Sequence, residues 1–209
     1  MILLHTTKYS DSSVILHSFT REGGRESFLL RGVGKKGTIH AALHPMALLD
    51  YTASDPYKGH LRYIKDWSVK EALPSVRTDI KKASLAMFMG ELLLRSLPEG
   101  DKDERIWDFT AESVRRLEAC EGSCANFHLW FLSRYAALLG FDPHFIPQEM
   151  PEITVLNQRL MEISLDEALL IPLSGEKRFA YIDALTRYLE AQLGSSFHLK
   201  SPSVLHAIF

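Results

Sequence analysis

The first 75 residues contain short runs in which apolar and polar side chains alternate, a pattern typical of β-strands. Between two of these runs, residues 22–25 read Glu-Gly-Gly-Arg, which is a hairpin signal. The predicted strands cover residues 2–4, 14–19, 27–33, 46–51 and 61–69. Five strands in fewer than 80 residues, with no helical pattern between most of them, predict a small closed barrel such as an OB-fold.

After Pro74 the apolar residues recur at helical spacing. Helices are predicted around residues 85–93, 103–119, 126–139, 165–170 and 179–193, with one or two further turns at 202–209. Pro143, Pro147 and Pro151 predict an irregular connection in this half of the chain. The fold class is therefore α+β, with an OB-fold barrel over residues 1–76 followed by an α-helical domain over residues 77–209.

Composition changes this picture little. Hydrophobic residues make up 46% of the chain and charged residues 24%, as in ordinary folded proteins. The net charge is −2, but residues 1–80 carry +3 and the remainder −5, which indicates either a basic binding domain or ordinary solvated surface. Two cysteines exclude a disulfide framework at this length, and no secretory signal or membrane span is recognisable, so a cytoplasmic protein is expected.

A basic, glycine-rich stretch is the most suggestive local feature. Residues 31–38 read Arg-Gly-Val-Gly-Lys-Lys-Gly-Thr at the end of a predicted strand. Glycines let backbone N–H groups approach phosphate, and the cations replace condensed counterions. The stretch is not a P-loop, because no Gly-Lys-Ser/Thr ending closes it. It is either a DNA contact or a loop tip that lysines keep soluble.

Other constellations favour structure over chemistry. Cys120, Cys124 and His128 are spaced by four residues, but no second ligand pair accompanies them, so no zinc site is predicted and buried, inert cysteines are favoured. No known catalytic motif is present, and the chain is predicted to be non-enzymatic and to need no cofactor. Among the barrel aromatics, Tyr57 and Tyr63 are the better candidates for stacking on bases rather than filling the core.

Several of these stretches, in the same order, resemble the RecO family of bacterial recombination mediators, especially its Bacteroidetes-like members. The matching segments are residues 4–15, 19–25, 31–37, 43–46, 124–132, 138–143 and 199–209. The resemblance implies an N-terminal OB-fold and a helical C-terminal domain. It also implies binding to single- and double-stranded DNA, strand annealing, and work with RecR. The resemblance further implies that the protein contacts the acidic C-terminal tail of single-stranded DNA-binding protein (SSB) and helps indirectly to load RecA. It also implies a nucleoid-associated location.

The sequence departs from the family pattern in two places. Many members carry a four-cysteine zinc site that Cys120 and Cys124 do not reproduce, and the region from Pro143 to Leu165 looks shortened. The competing functional hypothesis is a non-catalytic scaffold whose barrel bridges repair partners without strong DNA binding. A hydrolase hidden in the helical domain has little support, because no converging acid or base groups are identifiable.

The predicted DNA-binding surface lies on the barrel. Arg25 and Arg31 are six residues apart on one strand, so alternation aims both side chains at the same face. Lys35 and Lys36 extend from that strand, and Lys8 and Arg62 widen the patch from neighbouring strands. Strand annealing must accept any base sequence, so contacts with the DNA backbone are expected. Glu22 and Glu26 lie nearby and weaken the positive electrostatic field of this patch.

The predicted site for the SSB tail lies in the helical domain. An acidic tail with apolar end residues needs an apolar groove bordered by cations. The basic candidates are Arg115, Arg116, Arg134, Arg187 and Lys200, and the sequence does not choose among them.

Overall fold

The computed structural model describes residues 1–33, 41–55, 61–141 and 151–209. The predictions that concern Lys35, Lys36 and Tyr57 fall outside the described residues. Clustering of contacts divides the chain into two compact units, Met1–Glu118 and Ala119–Phe209.

Five strands of the first unit close into a barrel in the order β1-β2-β3-β5-β4, which confirms the predicted OB-fold. All described pairings are antiparallel except the one between β3 and β5. The strands are β1 (Ile2–Ser10), β2 (Ser13–Thr20), β3 (Gly24–Arg31), β4 (Leu48–Ala53) and β5 (Arg62–Glu71). The hairpin predicted at residues 22–25 joins β2 to β3, and Gly24 takes the positive φ of 69° that the turn requires.

Alternation along the strands fills the barrel with apolar side chains. The interior cluster contains Leu3, Leu16, Phe28, Leu30 and Leu49, all nearly fully buried. Ile2 and Leu4 are also buried although they alternate with Leu3, because β1 is covered on its outer side as well. A Cβ atom at Gly90 would lie 2.6 Å from the carbonyl oxygen of Leu4, so only glycine allows the covering helix to approach this closely.

Three helices group with the barrel. They are α1 (Pro74–Thr78), α2 (Ile80–Ser96) and α3 (Glu104–Ala119). The Trp107 indole N–H of α3 donates to the carbonyl of Phe19 at 3.2 Å, and Arg21 reaches Asp108 at 3.0 Å. The predicted division after residue 76 marks the change from strands to helices, whereas the packing boundary falls after Glu118 because α2 and α3 pack on the strands.

The second unit consists of helices. They are α4 (Phe127–Leu138), α5 (Pro151–Glu162), α6 (Leu165–Leu169), α7 (Gly175–Leu193) and α8 (Ser201–Ile208). The hydroxyls of Ser133 and Tyr181 lie 2.7 Å apart, and Tyr181 donates to Asn157 Oδ1 at 2.5 Å. These three side chains are buried and come from α4, α5 and α7. Because unpaired polar groups inside a core are strongly unfavourable, their mutual hydrogen bonds hold the three helices together.

Two helices were missing from the sequence-based prediction. Pro74 and Pro151 were interpreted as breaks, but each occupies the first helical turn, where proline is well tolerated because its missing N–H has no partner there anyway. The irregular connection predicted through Pro151 is therefore wrong from that residue onward. The other predicted strands and helices are present, with ends shifted by a few residues and with β1 extended to Ser10.

Candidate nucleic-acid interface

One side of the barrel presents the outward-facing residues of four neighbouring strand segments. We call it the open face, and its members are His5 and Thr7 of β1, Ile15 and His17 of β2, Ser27 and Arg31 of β3, and Tyr63 and Lys65 of β5. The cross-strand partners His5 with His17, Thr7 with Ile15, and Leu29 with Tyr63 fix this shared side. None of these eight residues is a carboxylate, but exposed Asp66 lies at the edge of the face, next to Lys65 on β5.

Arg31, Tyr63 and Lys65 form the basic end of the open face. The Arg31 guanidinium lies over the Tyr63 ring, 4.5 Å from its centroid, and all three side chains are exposed. Lys65 lies at a register shift of β5, between Ile64 and Trp67, which both pack on the interior cluster, so Lys65 and its neighbour Asp66 both face outward. An arginine held flat on an aromatic ring keeps its N–H groups directed at an incoming anion, which suits phosphate binding.

Polar side chains cross the three strands beside this cluster. His17 Nε2 lies 3.0 Å from the Thr7 hydroxyl, and His17 Nδ1 lies 3.0 Å from the Ser27 hydroxyl. The ring of exposed His5 stacks on His17 with centroids 6.1 Å apart. Partial burial, and then the charges of His5 and Arg25, lower the pKa of His17, so the ring is neutral at pH 7.

Arg25 shares the face of Arg31, as the alternation predicts, but it is already engaged. Its Nε donates to the carbonyl of Leu97 at 2.7 Å, and its own carbonyl accepts from the N–H of Gly100 at 2.9 Å. Arg25 on β3 therefore anchors the segment that follows α2, and this contact leaves the Arg25 side chain half-buried.

Arg62 does not lie on the open face. It is opposite Phe28 in the β3–β5 pairing, one residue out of phase with Tyr63. Its guanidinium lies 2.9 Å from Glu26, donates to the carbonyl of Ser54 at 3.0 Å and packs over the Phe28 ring.

Arg62 lines instead a cleft of about 650 Å³ at one end of the barrel. We call it the barrel-mouth cleft, and its charged and aromatic members are Arg21, Glu22, Glu26, Asp50, Tyr51, Arg62, Lys70 and Trp107. Each of its basic side chains has an acidic partner, since Arg21 contacts Glu104 and Asp108, and Lys70 lies 3.6 Å from Asp50.

Lys8 is on the opposite phase of β1 from Thr7 and pairs with Asp11 at 3.1 Å. The structure therefore brings Arg31 together with Tyr63, keeps Arg25 on the same side, and places Arg62 and Lys8 elsewhere. Lys65 and His17 were absent from the predicted set. The alternation of Tyr63 with Lys65 was visible in the sequence, but the parallel pairing that sets both beside Arg31 was not.

The basic residues proposed for the SSB tail are distributed over different elements. Arg115, in the first unit, makes two 2.8 Å contacts with Glu71, and Arg116 pairs with Glu112 at 3.2 Å. In the second unit Arg134 donates to the carbonyl of Ile163 at 2.8 Å, and Arg187 pairs with Asp183 at 2.9 Å. Lys200 is exposed just before α8.

A groove in the second unit has the properties that such a tail needs. It lies between α5 and α7, and Ile153, Leu156, Leu173 and Ala180 supply its apolar lining. Lys177 stands at its border, 3.6 Å from Glu152, and exposed Val155 and Arg159 lie just beyond it on α5. None of the sequence-predicted basic residues lines this groove, because its α5 wall was not predicted.

The described residues offer little for metal or acid–base chemistry. No group of three or more histidine, cysteine or acidic side chains among them is arranged to hold a metal ion. Cys124 is buried, Cys120 is half-buried, and no disulfide joins them. Burial lowers the pKa of His128 to about 3 and raises that of Tyr181, but both side chains are almost completely enclosed. None of the described helices combines the length and apolar character needed to cross a bilayer.

Comparison with known proteins is consistent with this architecture. The family model described as "Recombination protein O N terminal" matches residues 1–73, and the one described as "Recombination protein O C terminal" matches residues 77–146. The DNA repair protein RecO of Porphyromonas gingivalis is 30% identical over 237 aligned positions, which span 100% of this chain and 97% of the relative.

The RecO protein of Phocaeicola vulgatus is 35% identical over 148 positions, or 68% of this chain and 60% of that protein. That of Flavobacterium psychrophilum is 25% identical over 231 positions, or 100% of this chain and 97% of that protein. Both family models match in order, and one relative is similar along its whole length. The chain therefore belongs to the RecO family of DNA repair proteins.

Proposed function

We propose that this protein binds the phosphate backbone of DNA through the open face of its barrel and promotes the annealing of complementary strands. The observation that carries the proposal is the cluster of Arg31, Tyr63 and Lys65, in which neither cation forms an ion pair with a described residue, although exposed Asp66 follows Lys65 on β5. Two cations attract phosphate without reading sequence, and an aromatic ring stacks on any base. Both properties suit a protein that must accept every sequence.

Arg25 and the loop lysines have different parts in this proposal. Arg25 holds the chain after α2 on β3 and adds positive charge beside the face. Lys35 and Lys36 follow Arg31 along the chain, and we propose that they contact the same phosphate backbone. Lys8 and Arg62, which pair with Asp11 and Glu26, are assigned no direct contact.

The experiment is a salt series. Anisotropy of a labelled single strand should show an affinity that falls steeply with salt, with a log–log slope of roughly 0.7 per phosphate contact. Changing Lys35→Glu and Lys36→Glu together should weaken binding to all sequences alike and flatten that slope, with little change in thermal stability. An unchanged slope in the folded double variant means that the loop lysines do not contact DNA.

The annealing step has its own readout. Two complementary strands with donor and acceptor dyes should pair faster with the wild-type protein than without it, and the Arg31→Glu/Lys65→Glu variant should lose most of this acceleration. The competing function is a scaffold that bridges repair partners. Undetectable DNA affinity of the wild type at low salt, together with retained binding to RecR, would establish that alternative.

The family relationship also supports a place for this protein among the recombination mediators. We propose that it works with RecR, receives the acidic tail of SSB and so helps, indirectly, to load RecA, without catalysis or a cofactor of its own. The groove between α5 and α7 supports the tail contact, because its apolar lining suits the apolar residues of such a peptide. The pair of Lys177 with Glu152 at its border is highly exposed and therefore weak, so an acidic residue of the tail can replace Glu152.

A tail peptide locates this site. In a fluorescence titration of the full chain, Lys177→Glu with Arg159→Glu should weaken binding of a peptide with the SSB tail sequence by about tenfold. The matched double variant Arg187→Glu with Lys200→Glu should bind as the wild type does. The opposite result would move the tail to the basic residues that the sequence suggested.

A further inference from the structure

The polar network on the open face changes its hydrogen bonding when His17 takes up a proton. In the neutral ring one nitrogen donates and the other accepts, so only one of the two bonds, to Thr7 or to Ser27, uses a hydroxyl hydrogen. In the charged ring both nitrogens donate. Both hydroxyl oxygens then serve as acceptors, so protonation releases one further hydroxyl hydrogen and leaves both available for an outside acceptor.

We propose that Thr7, His17 and Ser27 form a proton-dependent subsite for a phosphodiester group, with His5 beside it, so that the open face gains a backbone contact in acid. Two O–H donors next to a charged imidazolium match the oxygens of a phosphate, and charge-assisted hydrogen bonds of this kind are the strong ones. Thr7 is exposed, and His17 and Ser27 are half-exposed, so a DNA strand has access to all three. The inference rests on the proposed function of the open face.

The surroundings of His17 favour a neutral ring until an anion arrives. His5 on β1 and Arg25 on β3 oppose its protonation, and Glu99, in the segment between α2 and α3, favours it. Partial burial is the largest cause of the lowered pKa. A bound phosphate supplies a negative charge at close range and reverses this balance, so proton uptake and DNA binding are linked.

The test measures the affinity for oligothymidylate at pH 7.5 and pH 5.5 in the same ionic strength. Neither thymine nor the phosphodiester titrates in this interval, so the change in affinity belongs to the protein. The wild type should gain about tenfold on acidification, the size of one charge-assisted contact. His17→Gln keeps the ability to hydrogen-bond but cannot take up the proton, and its gain should fall to about twofold or less.

Two further variants complete the set. His5→Gln removes a group that opposes protonation of His17 and should therefore preserve the gain. His198→Asn is the matched control. It removes an exposed histidine from the second unit and should keep the full gain. Circular dichroism at pH 5.5 verifies that each variant is folded.

A second readout does not depend on variants. The ring nitrogen shifts of His17, followed by NMR in the wild-type protein, should report a pKa about one unit higher in the oligothymidylate complex than in the free protein. Equal pKa values in the two states, or a tenfold acid gain retained by folded His17→Gln, would overturn the subsite.

Failure of the broader function looks different. If the wild type binds oligothymidylate at neither pH, the open face is not a DNA surface and both proposals are wrong. The Arg31→Glu/Lys65→Glu variant separates the two contributions. It should lower the affinity at both pH values while keeping the same relative gain on acidification, because it leaves the His17 network intact.

Discussion

The open face and the barrel-mouth cleft are two regions of one barrel with similar ingredients and different electrostatics. Each has an arginine against an aromatic ring, Arg31 over Tyr63 at 4.5 Å and Arg21 over Trp107 at 5.6 Å. In the cleft, the basic side chains have acidic partners on the same surface. On the open face, Arg31 and Lys65 form no ion pair with a described residue, although exposed Asp66 follows Lys65 on β5.

We assign phosphate binding by the partner that each cation already has and not by its position alone. Arg62 carries the same charge as Arg31, yet that charge is balanced by Glu26, and its Nε and Nη1 already donate to Ser54 and Glu26. A phosphate that approached it would have to displace a carboxylate. We therefore expect the cations of the cleft to stabilise the fold, and we assign the proposed DNA contacts to Arg31 and Lys65.

The largest expected effect on folding comes from the cleft. Arg62→Ala removes the guanidinium from Glu26, Ser54 and Phe28 and leaves a half-buried carboxylate without its partner. The free energy of unfolding, measured with urea, should fall by roughly 2 to 3 kcal/mol, while DNA affinity changes by less than about twofold. A folded variant with a large loss of affinity would place Arg62 in the DNA path and remove the contrast between the two regions.

The second effect is a loss of folding stability at low pH caused by His128, which limits how far the pH can be lowered when the two regions are compared. The folded protein does not protonate His128 until the pH approaches its pKa of about 3, whereas the unfolded chain does so near the ordinary value of 6.5. The stabilisation from keeping His128 neutral is therefore complete above pH 6.5 and is lost as the pH falls. The decline should reach about 1.4 kcal/mol per pH unit.

Urea unfolding at pH 7, 6 and 5 measures this decline, and His128→Gln, which cannot titrate, should flatten it. An equally steep decline in the variant would assign the acid sensitivity to other groups.

The third effect concerns a single residue of the open face. Arg31→Ala should lower DNA affinity by about tenfold and change the free energy of unfolding by less than about 0.5 kcal/mol, because its side chain is exposed and has no carboxylate partner among the described residues. Arg31→Lys should recover most of the affinity at low salt. Arg21→Ala is the matched control, since it removes the equivalent arginine–aromatic contact from the cleft and should leave DNA affinity within about twofold.

The smallest effect is expected at Lys8. Its pair with Asp11 is highly exposed, and such pairs contribute about 0 to 1 kcal/mol. Lys8→Ala should therefore leave both thermal stability and DNA affinity almost unchanged. A tenfold loss of affinity, measured by anisotropy, would extend the DNA path beyond the open face to the turn between β1 and β2.

The sequence was sufficient for the barrel because alternation specifies which side of each strand is apolar. For the same reason, the sequence correctly predicted that Arg25 and Arg31 share a face. It did not reveal the ion pair of Arg62 with Glu26, because those residues are 36 positions apart and meet only when β5 lies parallel to β3. For the same reason it did not reveal Lys65 beside Arg31.

Local patterns also failed where one residue type has two uses. A proline inside a helical pattern predicts a break, whereas a proline in the first turn marks the beginning of a helix. The sequence around Pro151 did not distinguish these two cases. Because α5 was not predicted, the groove was not found, and neither were its basic residues Arg159 on α5 and Lys177 on α7. The sequence-based set for the tail site rested on charge alone.

The central claim, that the open face and not the cleft contacts DNA, is tested most directly by two charge-matched double variants in one salt series. Arg31→Gln with Lys65→Gln and Arg21→Gln with Lys70→Gln each remove two positive charges, so their effects on the net charge are the same. For a single strand, the open-face variant should reduce the log–log salt slope by about 1.4, the equivalent of two phosphate contacts, and the cleft variant should leave the slope unchanged. Equal slopes for the two variants, or a larger reduction in the cleft variant, would contradict the account.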